Sequence, residues 1–571
     1  MTENKQKNND KILLGRECKL VFHLPAIPDV RNDTHIIKER LHYSDGSQES
    51  NLRILQDYKR PFWITKPHYQ KQHTAKKESE SLDKLNQYFS TESDLGKNVA
   101  IRLGGKYIGK KTLREVRTSP YVYGIDISSK VLIKAAYKDK YPDLVSPYTV
   151  ATLDIEADVD TAEITINSIA MKDKIFTAVT KKFLEEVGVF ELDARLNYLF
   201  DKYIPNEEMV ANMKREYIVV DHEWEAVTKV IAKAHEWQPD FVAVWNMNFD
   251  INYMIDVLEK YKIDPKDVFS DPRLPKEMRS FKYIEGQKVK VTESGKSKPC
   301  SPEERWHVVD APAGFYWIDA MAAHRYVRVG GKTVPGGYSL NNILNMELGN
   351  RFKKLDFKTD TNLIVDGIQW HRYMAKKHPL EYIIYNQWDI LSMLTLDQKT
   401  KDLSVNVAAL SEYAPFEIFH SGPKRIMSNI HFTYLENGKV IGSKPTSYDN
   451  DKILGLGEWI VLLPSHRVKE IRGLCVLRHN PNLHTNVRGF ASDADQVAGY
   501  PTNGQALNVS KETTVKEVIS IEGIPKEDFK LQNINLLFGP VNSIEYMTVM
   551  YGAPTLDELG QIYEKKHKIK R

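Results

Sequence analysis

The sequence has little of several features that would mark whole classes of protein. Its three cysteines, at positions 18, 300 and 475 of 571, are far apart. Their spacing provides neither a metal-binding cluster nor a disulfide framework, and it suits a reducing compartment. No segment approaches the roughly 18 consecutive apolar residues of a membrane-spanning helix, and the polar N-terminus lacks a signal-peptide pattern. We therefore expect a cytoplasmic protein without a membrane partner.

Charge of one sign is also scarce. The net charge is only +4, so the overall balance does not by itself indicate a nucleic-acid partner. Hydrophobic residues make up 42% of the chain and charged residues 27%, which is ordinary for a globular protein. The length predicts about three or four domains.

Acidic residues occur in three short motifs that follow one another along the chain. The first motif lies in a strand-like stretch, the second follows a buried strand and opens a helical pattern, and the third lies within a helix. Two-metal phosphodiester cleavage needs hard oxygen ligands that hold two Mg²⁺ or Mn²⁺ ions about 3.5–4 Å apart. Each motif alone is more typical of a solvated surface, but the ordered set predicts such a site. Its four carboxylates are Asp154, Glu156, Asp250 and Asp389.

Local geometry supports this interpretation. Side chains alternate along a strand, so Asp154 and Glu156 are expected to face the same way while Ile155 faces a core. Tyr385 and Asp389 are four residues apart and therefore share one face of a helix. A phenol beside a metal-binding carboxylate can orient the attacking water.

The three motifs resemble the proofreading motifs of family B DNA polymerases, in the tyrosine-bearing version of the DEDD 3′→5′ exonucleases. They read Asp-Ile-Glu, Asn-x-x-Phe-Asp and Tyr-x-x-x-Asp. The nearest likeness is to the replicative polymerases of large tailed bacteriophages, which would place the protein in the cytoplasm of an infected bacterium. The resemblance implies that the four carboxylates are metal ligands, that Tyr385 positions the water, and that Asn246 and Phe249 contact the substrate. Many relatives have three residues between the Asn and the Phe of the second motif, where this chain has two.

Residues 149–402 are predicted to form an α/β, RNase H-like exonuclease domain. A helix is expected over His222–Glu236 and a buried strand over Phe241–Trp245. A β-hairpin is expected over Phe281–Ile284 and Trp306–Asp319, interrupted by a polar insertion. Gly337 and Tyr338 resemble the start of the helix that precedes the third motif. Asp319 ends a strand of this domain, where such a residue more often caps a turn than binds metal.

Residues 1–148 are predicted to form an N-terminal domain of mixed structure. Strand-like segments precede a polar stretch at Gln70–Ser81. The segment Gly104–Arg114 interleaves basic and aromatic residues, as a nucleic-acid surface can, although its glycines match no phosphate-binding pattern.

Residues 403–571 are predicted to begin a polymerase palm. The segment Phe490–Thr502 resembles the family's first palm motif, which implies that Asp495 is a metal ligand and that Tyr500 lies under the incoming sugar. An Asp-rich turn before Tyr-Pro is the simpler alternative. No fingers helix of the form Lys-x-x-x-Asn-Ser-x-Tyr-Gly follows, and neither does a Tyr-x-Asp-Thr-Asp hairpin.

Taken together, these features predict an α/β multidomain protein that resembles the N-terminal part of a phage family B DNA polymerase. The resemblance implies two Mg²⁺ ions, replaceable by Mn²⁺, and a DNA substrate with a single-stranded 3′ end on a primer-template. It also implies a second chain that carries the fingers, remaining palm and thumb. The segments Gln532–Gly539 and Tyr563–Arg571 are candidates for contacting that chain. A free-standing 3′→5′ exonuclease and a non-catalytic DNA-binding replication scaffold are the alternatives.

Overall fold

The structure, a computed structural model, forms two compact units. It describes residues 11–443, except for 71–76, 78, 106–115, 118, 205–209, 211, 292–296, 330–333, 356 and 358–366, together with four short strands beyond residue 443. The first unit comprises residues 1–70, 78–117 and 121–443, and the second comprises 71–77, 118–120 and 444–571.

The first unit is of mixed α/β type. Its strands are β1 (Leu13–Leu24), β2 (Thr34–Tyr43), β3 (Gln48–Gln56), β4 (Arg60–Thr65), β5 (Ser79–Ser81), β6 (Leu85–Ser90), β7 (Val122–Tyr123), β8 (Val150–Ala157), β9 (Ile164–Met171), β10 (Lys174–Thr180), β11 (Lys214–Val220), β12 (Phe241–Val244), β13 (Lys282–Ile284), β14 (Val289–Val291), β15 (Ser297–Pro299), β16 (Val308–Asp310), β17 (Tyr316–Asp319) and β18 (Lys439–Ile441).

Helices connect and cover these strands. They are α1 (Pro67–Gln70), α2 (Leu95–Arg102), α3 (Ser129–Lys140), α4 (Leu192–Tyr203), α5 (Glu223–Trp237), α6 (Met247–Lys260), α7 (Pro265–Phe269), α8 (Ala320–His324), α9 (Leu340–Leu348), α10 (Ile368–Lys377), α11 (Pro379–Thr400), α12 (Val407–Ser411) and α13 (Gly422–Glu436).

The N-terminal part contains two antiparallel sheets. Strands β1, β2 and β3 form a meander, against which α3 packs, and β4 lies between β6 and β7 in the second sheet. Strand β5 pairs with β18, so a segment from the end of the unit joins its beginning.

A six-stranded sheet forms the centre of the unit, in the order β11-β10-β9-β8-β12-β17. Strand β9 is antiparallel to both β8 and β10, whereas β12 runs parallel to both β8 and β17. The carboxyl ends of β8, β12 and β17 therefore meet at one edge of the sheet. Sites for ligands form at such edges because loops and helix starts converge there.

Side-chain alternation divides this sheet between two cores. Leu153 and Ile155 of β8 pack on one face with residues of α5 and α6. On the opposite face Thr152 donates a hydrogen bond to the Ile390 carbonyl of α11 (2.8 Å). Asp154 and Glu156, which were predicted to face the same way, both lie on this second face. The predicted alternation along β8 is confirmed.

Helix α11 is buried on nearly every side, as expected of a helix that is apolar around most of its circumference. Pro379 occupies its first turn, where a missing N–H costs nothing, and Lys401 ends it in a left-handed conformation (φ 58°). Its 22 residues carry the third acidic motif across the sheet.

The predicted elements around the site largely form. The helix predicted at His222–Glu236 is α5, the buried strand predicted at Phe241–Trp245 is β12, and the predicted helix start after Gly337 is α9, capped by Ser339. The helix that carries Asp250 begins earlier than expected, at Met247, so Asp250 lies in its first turn.

The hairpin prediction is correct for one part and wrong for another. Strand β13 pairs antiparallel with β16, as expected. The last predicted segment, Tyr316–Asp319, is instead β17 of the central sheet, because it pairs parallel with β12. A turn at residues 311–315 separates β16 from β17 and lets the chain change sheets. A second small hairpin, β14 with β15, occupies the polar insertion.

The second unit contributes two described hairpins. Strands β19 (His466–Val468) and β20 (Arg478–His479) pair antiparallel, and so do β21 (Asn533–Leu536) and β22 (Gly539–Asn542). Asp495, Tyr500 and the segment Tyr563–Arg571 lie outside the described residues, as does most of Gly104–Arg114. Among the helices of the described residues, none combines the length and hydrophobicity needed to cross a bilayer.

Candidate metal centre

Three of the predicted carboxylates converge where β8 meets α11. Asp154, Glu156 and Asp389 each offer an oxygen, and these oxygens all lie within 4.8 Å of one another. Glu156 is 8% exposed and Asp389 only 2%. The cluster is therefore a buried concentration of negative charge, assembled from residues more than 230 positions apart.

Asp250 adjoins this cluster. Its Oδ1 accepts a hydrogen bond from the backbone N–H of Ile155 (3.3 Å), which lies between the two acidic residues of β8. Asp250 is 3% exposed. Strand β12 ends beside β8 and leads directly into α6, so the first turn of α6 brings Asp250 to the same sheet edge. All four predicted carboxylates thus occur in one neighbourhood.

One face of α11 supplies most of the remaining contacts. Residues 382, 385, 386 and 389 share this face because they are spaced three and four apart. The Asn386 amide donates a hydrogen bond to Asp154 Oδ2 (2.8 Å), and the Tyr382 hydroxyl donates one to Glu156 Oε2 (2.5 Å). Each acidic side chain of β8 is therefore held by an uncharged donor from α11.

Lys354 brings a positive charge to the cluster. Its ammonium forms an ion pair with Asp389 Oδ2 (2.5 Å) and donates a hydrogen bond to the Tyr385 hydroxyl (3.1 Å). Two contacts fix the backbone around it: the Lys354 N–H donates to the Asn341 side chain (3.0 Å), and Trp388 donates to the Lys353 carbonyl (2.9 Å). The lysine is thus placed by α9 and α11 together.

Burial, together with repulsion among the carboxylates, raises their pKa values. Burial, followed by the charges of Asp250 and Glu156, raises the pKa of Asp154 well above its usual value. Burial raises the pKa of Glu156 to about 8, against the opposing hydrogen bond from Tyr382. Burial also raises the pKa of Asp250 to about 7, and it raises that of Asp389 although Lys354 opposes the shift.

Lys354 and Tyr385, the basic and the phenolic group beside the cluster, keep their protons at neutral pH. Burial disfavours the charge of Lys354, but Asp389, Tyr385 and Asp154 outweigh that effect and hold the lysine pKa well above its usual value. Burial and the charge of Asp389 raise the pKa of Tyr385, so its hydroxyl remains a donor at neutral pH.

The residues present fit a divalent cation. Four carboxylates with one ammonium leave an excess of buried negative charge, and carboxylate oxygens are the ligands that Mg²⁺ and Mn²⁺ prefer. Asp389 Oδ1 is buried and accepts no hydrogen bond from the described residues. A cation would satisfy this oxygen and relieve the repulsion among the carboxylates.

The two predicted substrate residues lie at the start of α6. Asn246 is exposed at the helix N-terminus, where its backbone carbonyl accepts the N–H of Phe249 (2.9 Å). Phe249 is 45% exposed, and its ring centroid lies 4.5 Å from that of Tyr253. The site therefore has an exposed phenylalanine next to Asp250, in contact with the half-buried ring of Tyr253.

Asp319 has a structural role in this edge of the sheet. Its carboxylate accepts the N–H of Ala322 (2.8 Å), which caps α8, and the N–H of Met247 (3.3 Å), which begins α6. Asp319 thus forms the cap that a residue at such a position more often provides.

Four contributing residues were not among the sequence predictions. For Tyr382 and Asn386 a signal existed, since both share a helix face with Tyr385 and Asp389. Lys354 and His371 lie in other segments, and nothing in the local pattern placed them beside the cluster. His371 Nδ1 lies 2.8 Å from the Tyr382 hydroxyl and 3.9 Å from Glu156 Oε2.

Comparison with known proteins identifies no relative: no protein-family model matches the chain, and no curated protein matches it.

Proposed function

We propose that this chain is a metal-dependent 3′→5′ exonuclease of DNA, built on an RNase H-like domain, in the N-terminal part of a family B type DNA polymerase. The convergence of Asp154, Glu156 and Asp389 within 4.8 Å carries the proposal. These residues come from the first and third of the motifs that resemble the proofreading exonucleases, and the second motif places Asp250 against β8.

The order and direction of the central strands support the RNase H-like part of the proposal. Strands β8, β9 and β10 form an antiparallel meander, and β12 and β17 continue the sheet in parallel on the other side of β8. The first acidic pair lies on the central strand β8, next to α11. This arrangement is the one expected for an RNase H-like nuclease.

Asp154, Glu156, Asp250 and Asp389 would hold the two Mg²⁺ or Mn²⁺ ions. When bound, such ions activate the attacking water and stabilise the leaving 3′-oxygen. The protein's contribution is to hold the four carboxylates at fixed positions before a cation arrives, through the β8 backbone and the donors of α11.

Tyr385 and Lys354 serve the substrate side of the reaction. Lys354 donates to the Tyr385 oxygen, and the phenol keeps its own proton, which it would donate to the attacking water or to the scissile phosphate. The Lys354 ammonium adds a fixed positive charge beside the position where phosphate charge increases during cleavage. The exposed ring of Phe249 offers a surface on which the terminal base can stack.

The test is degradation of a 5′-labelled single-stranded oligonucleotide by the full chain. We expect stepwise shortening from the 3′ end with Mg²⁺ or Mn²⁺, and none with EDTA. Duplex ends should be cut more slowly, because freeing the terminal nucleotide costs a few kcal/mol. Asp154→Ala combined with Glu156→Ala should lower the rate by at least about a thousandfold, because both ions lose ligands.

The control removes two exposed acidic residues from the same domain, Glu185→Ala with Glu186→Ala. This variant should cut at the parental rate. If the Asp154/Glu156 variant cut DNA as fast as the parent, the site assignment would be wrong. If the parent bound DNA without cutting it, the non-catalytic scaffold would be the better description.

The polymerase part of the proposal rests on the resemblance alone. Asp495 and Tyr500 would belong to a palm that a second chain completes with fingers and thumb, whereas a free-standing exonuclease needs only the described site.

A further inference from the structure

A chain of hydrogen bonds links His371 to Glu156 through the Tyr382 hydroxyl. The Tyr382 hydroxyl lies 2.5 Å from Glu156 Oε2, and His371 Nδ1 lies 2.8 Å from the same hydroxyl. Tyr382 is 2% exposed, and the His371 side chain is half-buried. The chain thus runs from α10, through α11, to the second acidic residue of β8.

The direction of this chain follows from what each group can donate. With a cation bound Glu156 is ionised, and an ionised carboxylate only accepts hydrogen bonds, so Tyr382 donates its single hydroxyl proton to Glu156. The hydroxyl oxygen can then only accept from His371, whose Nδ1 must carry a proton. The histidine therefore selects the rotation of the hydroxyl that points at Glu156.

The surrounding rings and ions keep both residues in place. The Tyr382 and Tyr385 rings are stacked, with centroids 5.7 Å apart and planes 4° from parallel, and Trp370 lies against Tyr385 (5.0 Å). Arg372 of α10 forms an ion pair with Asp160, just after β8 (2.5 Å). Helix α10 is thereby linked to both elements that carry the cluster.

We propose that Tyr382, oriented by His371, is a positioning residue of the metal centre: its hydroxyl holds Oε2 of Glu156 and leaves Oε1 for the cation. This inference rests on the proposed function. Ordering a free glutamate side chain costs conformational entropy, and a preformed hydrogen bond removes part of that cost from the binding step.

Mn²⁺ binding to the full chain, followed by electron paramagnetic resonance, tests this role without requiring cleavage. Tyr382→Phe should weaken Mn²⁺ binding about tenfold, the lower end of the usual effect of removing a hydrogen bond to a metal ligand. Single-turnover cleavage should approach the parental rate at saturating Mn²⁺, because the hydroxyl touches no reacting atom. Tyr373→Phe, a half-buried tyrosine of α10 outside the site, should leave binding unchanged.

His371 provides a second route if the buried Tyr382 variant folds poorly. His371→Leu should weaken Mn²⁺ binding in the same direction, since the tyrosine hydroxyl loses its donor. His371→Asn should restore binding, because its amide places an N–H near the position of Nδ1. A merely structural histidine would show no such rescue.

Two outcomes overturn different statements. If the parent binds Mn²⁺ and cuts DNA while Tyr382→Phe binds Mn²⁺ equally well, the positioning role is wrong and the nuclease proposal stands. If the parent neither binds Mn²⁺ nor cuts DNA, the proposed function itself fails.

Discussion

Two buried carboxylate sites lie at opposite ends of the central sheet, and their charges are balanced in opposite ways. At the amino end of β12, Asp240 is fully buried and forms ion pairs with Lys38 (2.9 Å) and with Arg40. It also accepts the N–H of Thr149 (2.8 Å). Although burial opposes it, the charges of Lys38 and Arg40 lower the pKa of Asp240 to about 2.

At the carboxyl ends of β8 and β12, four carboxylates share the single cation of Lys354. The pKa values of these carboxyl groups are raised, which means that holding them together in ionised form lowers the free energy of unfolding. At the first site the buried carboxylate is paired with two cations of β2, and these ion pairs join β2 to the central sheet. The second leaves an excess of negative charge that an external cation would balance. This difference separates a structural ion pair from a candidate functional centre.

The largest expected difference in the free energy of unfolding comes from replacing one carboxylate at each end of the central sheet. Asp240→Asn should lower the free energy of unfolding by about 3–5 kcal/mol, because it leaves Lys38 and Arg40 buried without a counter-charge. Asp154→Asn should leave the free energy of unfolding unchanged or raise it, because it removes repulsion. Urea denaturation in EDTA measures both values.

Equal losses of stability in these two variants would contradict the distinction between the sites. The cleavage assay gives the converse result: folded Asp240→Asn protein should cut DNA at the parental rate, and Asp154→Asn protein should not cut it.

A smaller effect should follow from adding the cation. Mn²⁺ at about one hundred times its dissociation constant should raise the free energy of unfolding by about 2.7 kcal/mol, because it binds the folded chain alone. The variant lacking Asp154 and Glu156 should show no increase, and Asp240→Asn should keep the full increase. An equal increase in all three proteins would place the cation elsewhere.

The sequence predicted which acidic residues lie together better than it predicted which other residues surround them. Asp154, Glu156 and Asp389 could be found because strand alternation and helical spacing fix which side chains share a face. The central strand and the helices on either side of it were found for the same reason. Local patterns carry this information directly.

What the sequence did not reveal depends on contacts between distant segments. Lys354 reaches Asp389 only because α9 and Trp388 place its backbone, and Tyr316–Asp319 joins β12 rather than β16 because parallel pairing is invisible in a single strand. Lys38 and Arg40 look like exposed residues of a polar strand, yet Asp240, some 200 residues later, makes them buried ion-pair partners.

The smallest expected effect is the pH dependence of the Asp240 contribution, which is opposite in sign to that of the acidic cluster. Asp240 has a pKa of about 2 in the folded chain and 3.8 ordinarily, so its contribution is complete above pH 4 to 5 and is lost as pH falls toward 2. The difference in free energy of unfolding between the parent and Asp240→Asn should therefore shrink by about 2 kcal/mol across that interval.

The acidic cluster should behave in the reverse sense in EDTA. Glu156 and Asp250 have pKa values of about 8 and about 7 in the folded chain, above the ordinary 4.5 and 3.8. Between these limits the folded chain holds protons that the unfolded chain has released, so stability falls as pH rises from about 5 to 8. Replacing Asp154 and Glu156 by Ala should flatten this fall, and Asp240→Asn should not. Saturating Mn²⁺ should also flatten it, because a cation takes the place of the protons. If the free energy of unfolding of the parent rose over this interval in EDTA, the ionised carboxylates of the cluster would not destabilise the folded chain. The two carboxylate sites would then not differ in how their charges are balanced.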